Sequence, residues 1–101
     1  MMRKMVADYS SEGIRFNTVC PGSIIDNSEI WQKRIEEEPE ILENMKDLYP
    51  LGRYGKPEDV ANIVLFLSSS ASDWISGTTI PVDGGLTATG NLSGENWWRE
   101  V

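Results

Sequence analysis

Histidine is absent from this 101-residue chain and cysteine occurs once. Basic residues are scarce too, 9 Lys and Arg against 16 Asp and Glu, for a formal charge of −7. Without histidine neither a Ser-His nor a Cys-His nucleophile can be built, and the commonest zinc ligand is gone. The single thiol, Cys20, has no intrachain partner, so no internal disulfide can form and a reducing, cytoplasmic setting is expected. The shortage of Lys and Arg argues against nucleic acid, whose phosphates are held by clustered cations, and against an anionic membrane surface. No apolar run approaches the ~20 residues of a membrane span. Nor does an apolar stretch of signal-peptide kind follow Met1-Met2-Arg3-Lys4. The length allows one small domain, able to hide only about 60–70% of its unfolded surface.

What is present reads as alternating helices and strands. Met2, Met5, Val6 and Tyr9 repeat at helical spacing, so residues 1–12 are expected to be the end of a helix, with Gly13 in the turn beyond. Residues 14–20, Ile-Arg-Phe-Asn-Thr-Val-Cys, form a β-branched and aromatic run closed by Pro21-Gly22, the pattern of a buried strand. Within it Arg15 is expected as a surface charge, Asn17 as a satisfied amide and Cys20 as a small buried hydrophobe. Asn27 or Ser28 can cap a helix carrying Ile30, Trp31 and Ile35. Pro39 interrupts it, and a second amphipathic stretch places Ile41, Met45, Leu48 and Tyr49 on one side. The opposite side carries Glu36, Glu37, Glu38, Glu40 and Glu43, a solvated face rather than a metal site.

Pro57, followed by Glu58 and Asp59, suits the first turn of a helix over 57–69. Its apolar positions, Val60, Ala61, Ile63, Val64, Phe66 and Leu67, cover so wide an arc that burial on most of the circumference is expected. Residues 78–82 read as a second strand, broken by Asp83-Gly84-Gly85, and residues 86–101 as a tail. Strands separated by helices make a parallel α/β unit. Two strands are too few to cover such a helix, so the chain is expected to be incomplete as a stand-alone domain.

Three blocks resemble the short-chain dehydrogenase/reductases. Gly13-Ile14-Arg15-Phe16-Asn17-Thr18-Val19-Cys20-Pro21-Gly22 is similar to that family's GIRVNxVxPG segment. The run from Tyr49 to Ala61 is similar to its PLgRxGxPeDvA segment, and Ser76-Gly77 with Val82-Asp83-Gly84-Gly85 to its closing G…xVDGG. The resemblance covers residues 1 to about 86. It implies the C-terminal part of a Rossmann-like doubly wound parallel sheet, here two parallel strands with intervening helices, and an NAD- or NADP-dependent alcohol/ketone oxidoreductase. The family's Gly-rich cofactor turn and catalytic Tyr-x-x-x-Lys pair do not occur: Tyr9, Tyr49 and Tyr54 are followed four residues later by Gly13, Arg53 and Glu58. No catalytic residue, no metal site and no cofactor is therefore expected for this chain alone. The resemblance places Pro21, Gly22 and Ile24 at the nicotinamide end of the cofactor, with Ile24 offering backbone groups to the carboxamide. A Thr commonly stands where this chain has Asp26, whose carboxylate would repel phosphate; Asn27 or Ser28 are the substitutes. Residues 27–49 correspond to the substrate lid, in which Ile30, Trp31, Ile35 and Met45 either line a small-molecule pocket or pack the lid helices together. Expected partners are the missing N-terminal part or a complementary chain, and further copies meeting through residues 58–69 and 78–82. The alternative is a non-catalytic binding or oligomerisation module derived from that family.

Overall fold

A computed structural model describes residues 1–89; the remainder of the expected tail, with Trp97 and Trp98, lies outside the described residues. The element order is α1 (Met2–Tyr9), β1 (Thr18–Pro21), α2 (Glu29–Glu37), α3 (Pro39–Met45), α4 (Pro57–Leu67), β2 (Thr79–Val82) and α5 (Leu86–Thr89), with single 3-10 turns after α1, α3 and α4. β1 and β2 pair in parallel, Thr18 opposite Thr79 through Pro21 opposite Val82. The fold class is α/β, an incomplete Rossmann-like sheet.

Side chains alternate across a strand, so Thr18 and Val19 face opposite sides. The Thr18 hydroxyl meets Met2 Sδ of α1 at 3.1 Å, whereas Val19 shares a cavity wall with Val64 and Leu67 of α4. Helices thus lie on both faces of the two-stranded sheet. Gly13, at φ 80°, ends the first helical segment in the left-handed conformation that glycine adopts without strain.

β1 begins at Thr18 rather than at residue 14. Ahead of it the chain is held by irregular bonds: Phe16 N–H to Ser76 Oγ (3.2 Å), Gly77 N–H to Phe16 O (2.7 Å), and Thr78 N–H to Asn17 Oδ1 (3.1 Å). Gly77 sits at φ 78°, which breaks the extended geometry of the partner segment and delays the ladder. Arg15 is not a free surface charge. Half-buried, it donates to the carbonyls of Leu67 (2.9 Å), Ser69 (3.5 Å), Ser72 (2.9 Å) and Ile75 (3.1 Å), closing the turns that lead from α4 to β2.

Among the described residues only Tyr49 and Ser72 are buried. Cys20, expected inside, is exposed. On α4, Val64, Leu65 and Phe66 are exposed, Leu65 at 70%, and Trp74 beyond it is fully exposed. The arc of α4 is as wide as its sequence demands, yet two strands cover only part of it. No helix among the described residues is long and apolar enough to cross a membrane.

Candidate functional site

Both strands end in glycine-containing loops, Pro21-Gly22-Ser23 after β1 and Asp83-Gly84-Gly85 after β2. Ligands of open α/β sheets bind outside these carboxyl ends. A cavity of about 650 Å³ opens here, its wall including Gly22, Tyr49, Leu51, Val82, Asp83 and Gly84. Gly22 continues the ladder, its N–H donating to Val82 O at 2.9 Å. A Cβ at Gly22 would stand 3.1 Å from Asp83 Cα, so glycine there permits the two loops to approach. Gly84 and Gly85 have φ of 60° and 93°, and Pro50 packs against the latter.

The segment after Gly22 is stapled to the loop that precedes α4. Ser23 O accepts from Gly55 N–H, and Ile25 N–H donates to Gly55 O, both at 3.0 Å, a single parallel bridge joining Ile24 and Gly55. In a parallel bridge the central residue's own polar groups face the other way. The N–H and C=O of Ile24 accordingly point away from Gly55 and make no hydrogen bond among the described residues. A Cβ on Gly55 would overlap Ile24 Cδ1.

Asp26 lies at the entrance to α2, exposed, and its Oδ1 accepts from Ser28 N–H at 2.9 Å, closing an Asx turn. The Ser28 side chain and backbone N–H together lower its pKa from the ordinary carboxylate value. Ser28 is the residue that precedes α2, with extended backbone and no side-chain capping bond. Asp26 thus supplies the acceptor at this helix entrance.

Of the residues expected in a substrate lid, Ile30, Ile35 and Met45 are exposed, Ile30 at 72%, and none lines the cavity. Trp31 is half-buried, its ring 6.5 Å from that of Tyr54 and beneath the Arg34 guanidinium at 5.6 Å. Tyr54 in turn donates to Leu42 O at 2.6 Å; burial first, then Tyr49 and Glu43, raise its pKa. Trp31 therefore packs α2 onto the loop before α4. Of the expected cofactor residues, Gly22 borders the cavity while Pro21, Ile24 and Asp26 lie outside its wall.

Sequence reasoning missed the residues that hold this region. Tyr49 was legible only as one position of an apolar stripe, yet its hydroxyl donates to Ser23 Oγ (2.7 Å) and accepts from Ser23 N–H (3.2 Å). Asp59, read as a first-turn acid, accepts from Lys56 N–H (2.7 Å) and from both terminal nitrogens of Arg53 (2.8 and 3.2 Å). Arg53 and the Lys56 N–H hold its carboxyl down at about 2.

A family profile described as enoyl-(acyl carrier protein) reductase matches residues 1–87. The chain belongs to the short-chain dehydrogenase/reductase family. It is 40% identical over 90 residues to 2-(S)-hydroxypropyl-CoM dehydrogenase 3 of Xanthobacter autotrophicus, covering 87% of this chain and 35% of that protein. A crystal structure of a short-chain dehydrogenase/reductase family oxidoreductase from Burkholderia thailandensis superposes with a TM-score of 0.75 at 40% identity, over 86% of this chain and 33% of that one. The angucycline C-6 ketoreductase LanV, solved with bound NADP, matches with a TM-score of 0.73 at 30% identity, over 86% and 32% of the two chains. This family segment thus spans about a third of the length of the relatives it matches.

Proposed function

We propose that this chain forms the C-terminal part of an NAD(P)-dependent alcohol/ketone oxidoreductase, the part that covers the nicotinamide end of the cofactor and carries the substrate lid. The carrying observation is Ile24, whose backbone donor and acceptor are left free at the carboxyl end of β1 by the bridge to Gly55. A carboxamide, with one acceptor and two donors, is the complement of such a pair. Pro21 and Gly22 set the turn that delivers Ile24, and Asp26 stands two residues further on. The bound dinucleotide would supply the hydride-transfer chemistry. This chain's own part is to hold the carboxamide and close the lid, since it has neither a Gly-rich pyrophosphate turn nor a Tyr-x-x-x-Lys pair. Ile30, Trp31, Ile35 and Met45 belong to the lid that closes over a small alcohol or ketone, Trp31 from its packed position on Tyr54.

The reading is tested by turnover. The 101-residue chain alone is expected to oxidise or reduce no nicotinamide cofactor above background over a panel of ketones and alcohols. Expressed together with, or fused behind, a family N-terminal segment that supplies the Gly-rich turn and the Tyr-x-x-x-Lys pair, it is expected to gain dinucleotide binding. Failure of the reconstituted protein to bind NAD or NADP, despite co-purification, favours the second reading, a non-catalytic oligomerisation module. That reading has its own support in the bare Val64, Leu65 and Phe66 of α4.

A further inference from the structure

We propose that Tyr49 is a positioning residue that couples the seating of the lid to the orientation of Ile24, and so to dinucleotide affinity. The inference rests on the reading of the Pro21–Asp26 segment as the nicotinamide cover. Tyr49 immediately follows the last turn of the lid, its N–H bonded to Lys46 O at 3.1 Å. It is the one buried hydrophobic residue among those described, 5% exposed. Its phenol oxygen acts in both senses on a single residue, donating to the Ser23 hydroxyl (2.7 Å) and accepting from the Ser23 N–H (3.2 Å). Ser23 is the neighbour of Ile24, and its carbonyl is already held by Gly55 N–H. With both its N–H and its C=O tied, the peptide leading into Ile24 has little freedom. The Tyr49 ring also touches the two glycine loops. Its Cε1 would stand 3.3 Å from a Cβ on Gly22, and its Cβ 3.6 Å from a Cβ on Gly84. The next residues bind the second loop, Leu51 N–H donating to Gly84 O at 3.1 Å. A shift of the lid's C-terminal end therefore moves the Ser23 amide with it. Without the phenol oxygen, a half-buried N–H loses its acceptor and the approach to Ile24 loosens.

Tyr49→Phe keeps the ring and removes both bonds; Ser23→Ala removes only the hydroxyl acceptor and leaves the N–H bonded to the phenol. Site-resolved amide hydrogen exchange on the reconstituted protein is expected to show the Ser23 amide exchanging at least about tenfold faster in Tyr49→Phe. In Ser23→Ala the residue-23 amide should stay near the parent rate, and amides of α4 should be unchanged in both. In the reconstituted oxidoreductase, Tyr49→Phe is expected to raise the dinucleotide KM about tenfold with kcat within twofold, because the reacting groups lie elsewhere. Equal Ser23 exchange in parent and Tyr49→Phe, or a fall in kcat at unchanged KM, overturns the proposal. Faster Ser23 exchange in a reconstituted protein that binds no dinucleotide supports the hold of Tyr49 on the loop and overturns the functional reading instead.

Discussion

Two side chains, Arg15 and Asp26, show how much one residue carries in so thinly packed a chain. The Arg15 guanidinium gathers four main-chain carbonyls from the turns between α4 and β2, and also reaches Ser72 Oγ at 3.1 Å. Hydrogen bonds from an ionised donor contribute about 1.5–3 kcal/mol, and a stranded acceptor costs about as much. Arg15→Met, which retains the aliphatic stem, is expected to destabilise by about 2–3 kcal/mol. Arg15→Lys should recover only part of this, because an ammonium cannot fork between Leu67 and Ser72. Urea unfolding of parent and variants in the reconstituted protein reads both. Asp26 offers a cleaner separation of charge from structure. Asn at this position keeps an oxygen for the Ser28 N–H and so keeps the Asx turn, while removing the negative charge. If that carboxylate faces cofactor phosphate, Asp26→Asn binds NAD or NADP more tightly, and the gain shrinks at high salt. Unchanged affinity would show that the Asx turn aims the charge elsewhere.

At the scale of the element, α4 is the clearest case of local chemistry. Pro57 opens it, and Asp59 completes a reciprocal link with Lys56, its carboxylate accepting Lys56 N–H and its own N–H donating to Lys56 O at 2.9 Å. Because the folded Asp59 titrates near 2 rather than at its ordinary 3.8, its contribution is fully present above about pH 4. It is lost as pH falls from there through 2. Asp59→Asn should flatten that part of the acid profile relative to the parent, measured as helicity against pH; identical profiles would mean that Arg53 and Lys56 hold other acids in its place. The start of α4 was legible from sequence because Pro57, Glu58 and Asp59 act within one turn. The onset of β1 was not, since a β-branched run signals burial while the ladder's first pair is set sixty residues away by the backbone of Gly77. Tyr49 with Ser23 and Arg15 with Leu67 were hidden for the same reason: they meet only once β1 and β2 have paired. The proposed cofactor residues came from the family's Pro-Gly pattern, but the orientation of Ile24's own N–H and C=O away from Gly55 depends on a bridge that no local pattern announces.

At the scale of the whole molecule, the described residues leave two sheet edges unpaired and the apolar side of α4 open. On β1, Thr18 and Gly22 donate toward β2, so the Val19 N–H faces outward. On β2 the outward position opposite Cys20 is Pro81, which has no N–H to give. Pro21 stands at the equivalent outward position of β1, so each edge offers one outward amide within its strand, Val19 on β1 and Thr79 on β2. The bare residues of α4, Val64, Leu65 and Phe66, need cover as well, and copies of the chain meeting through side chains of residues 58–69 and 78–82 would provide it isologously. The chain alone is therefore expected to sediment as an oligomer or aggregate at micromolar concentration, and Leu65→Glu to shift it toward smaller species. Adding the complementary N-terminal segment should protect the Val19 amide from exchange and leave that of Thr79 open, because the β2 side is the one proposed to meet further copies through residues 78–82. A compact monomer with cooperative unfolding would refute the need for partners. Protection of Thr79 with Val19 left exposed would put the missing sheet on the wrong edge. The two measurements fail separately: sedimentation tests whether α4 requires a neighbour, and the paired amides test where the rest of the sheet belongs.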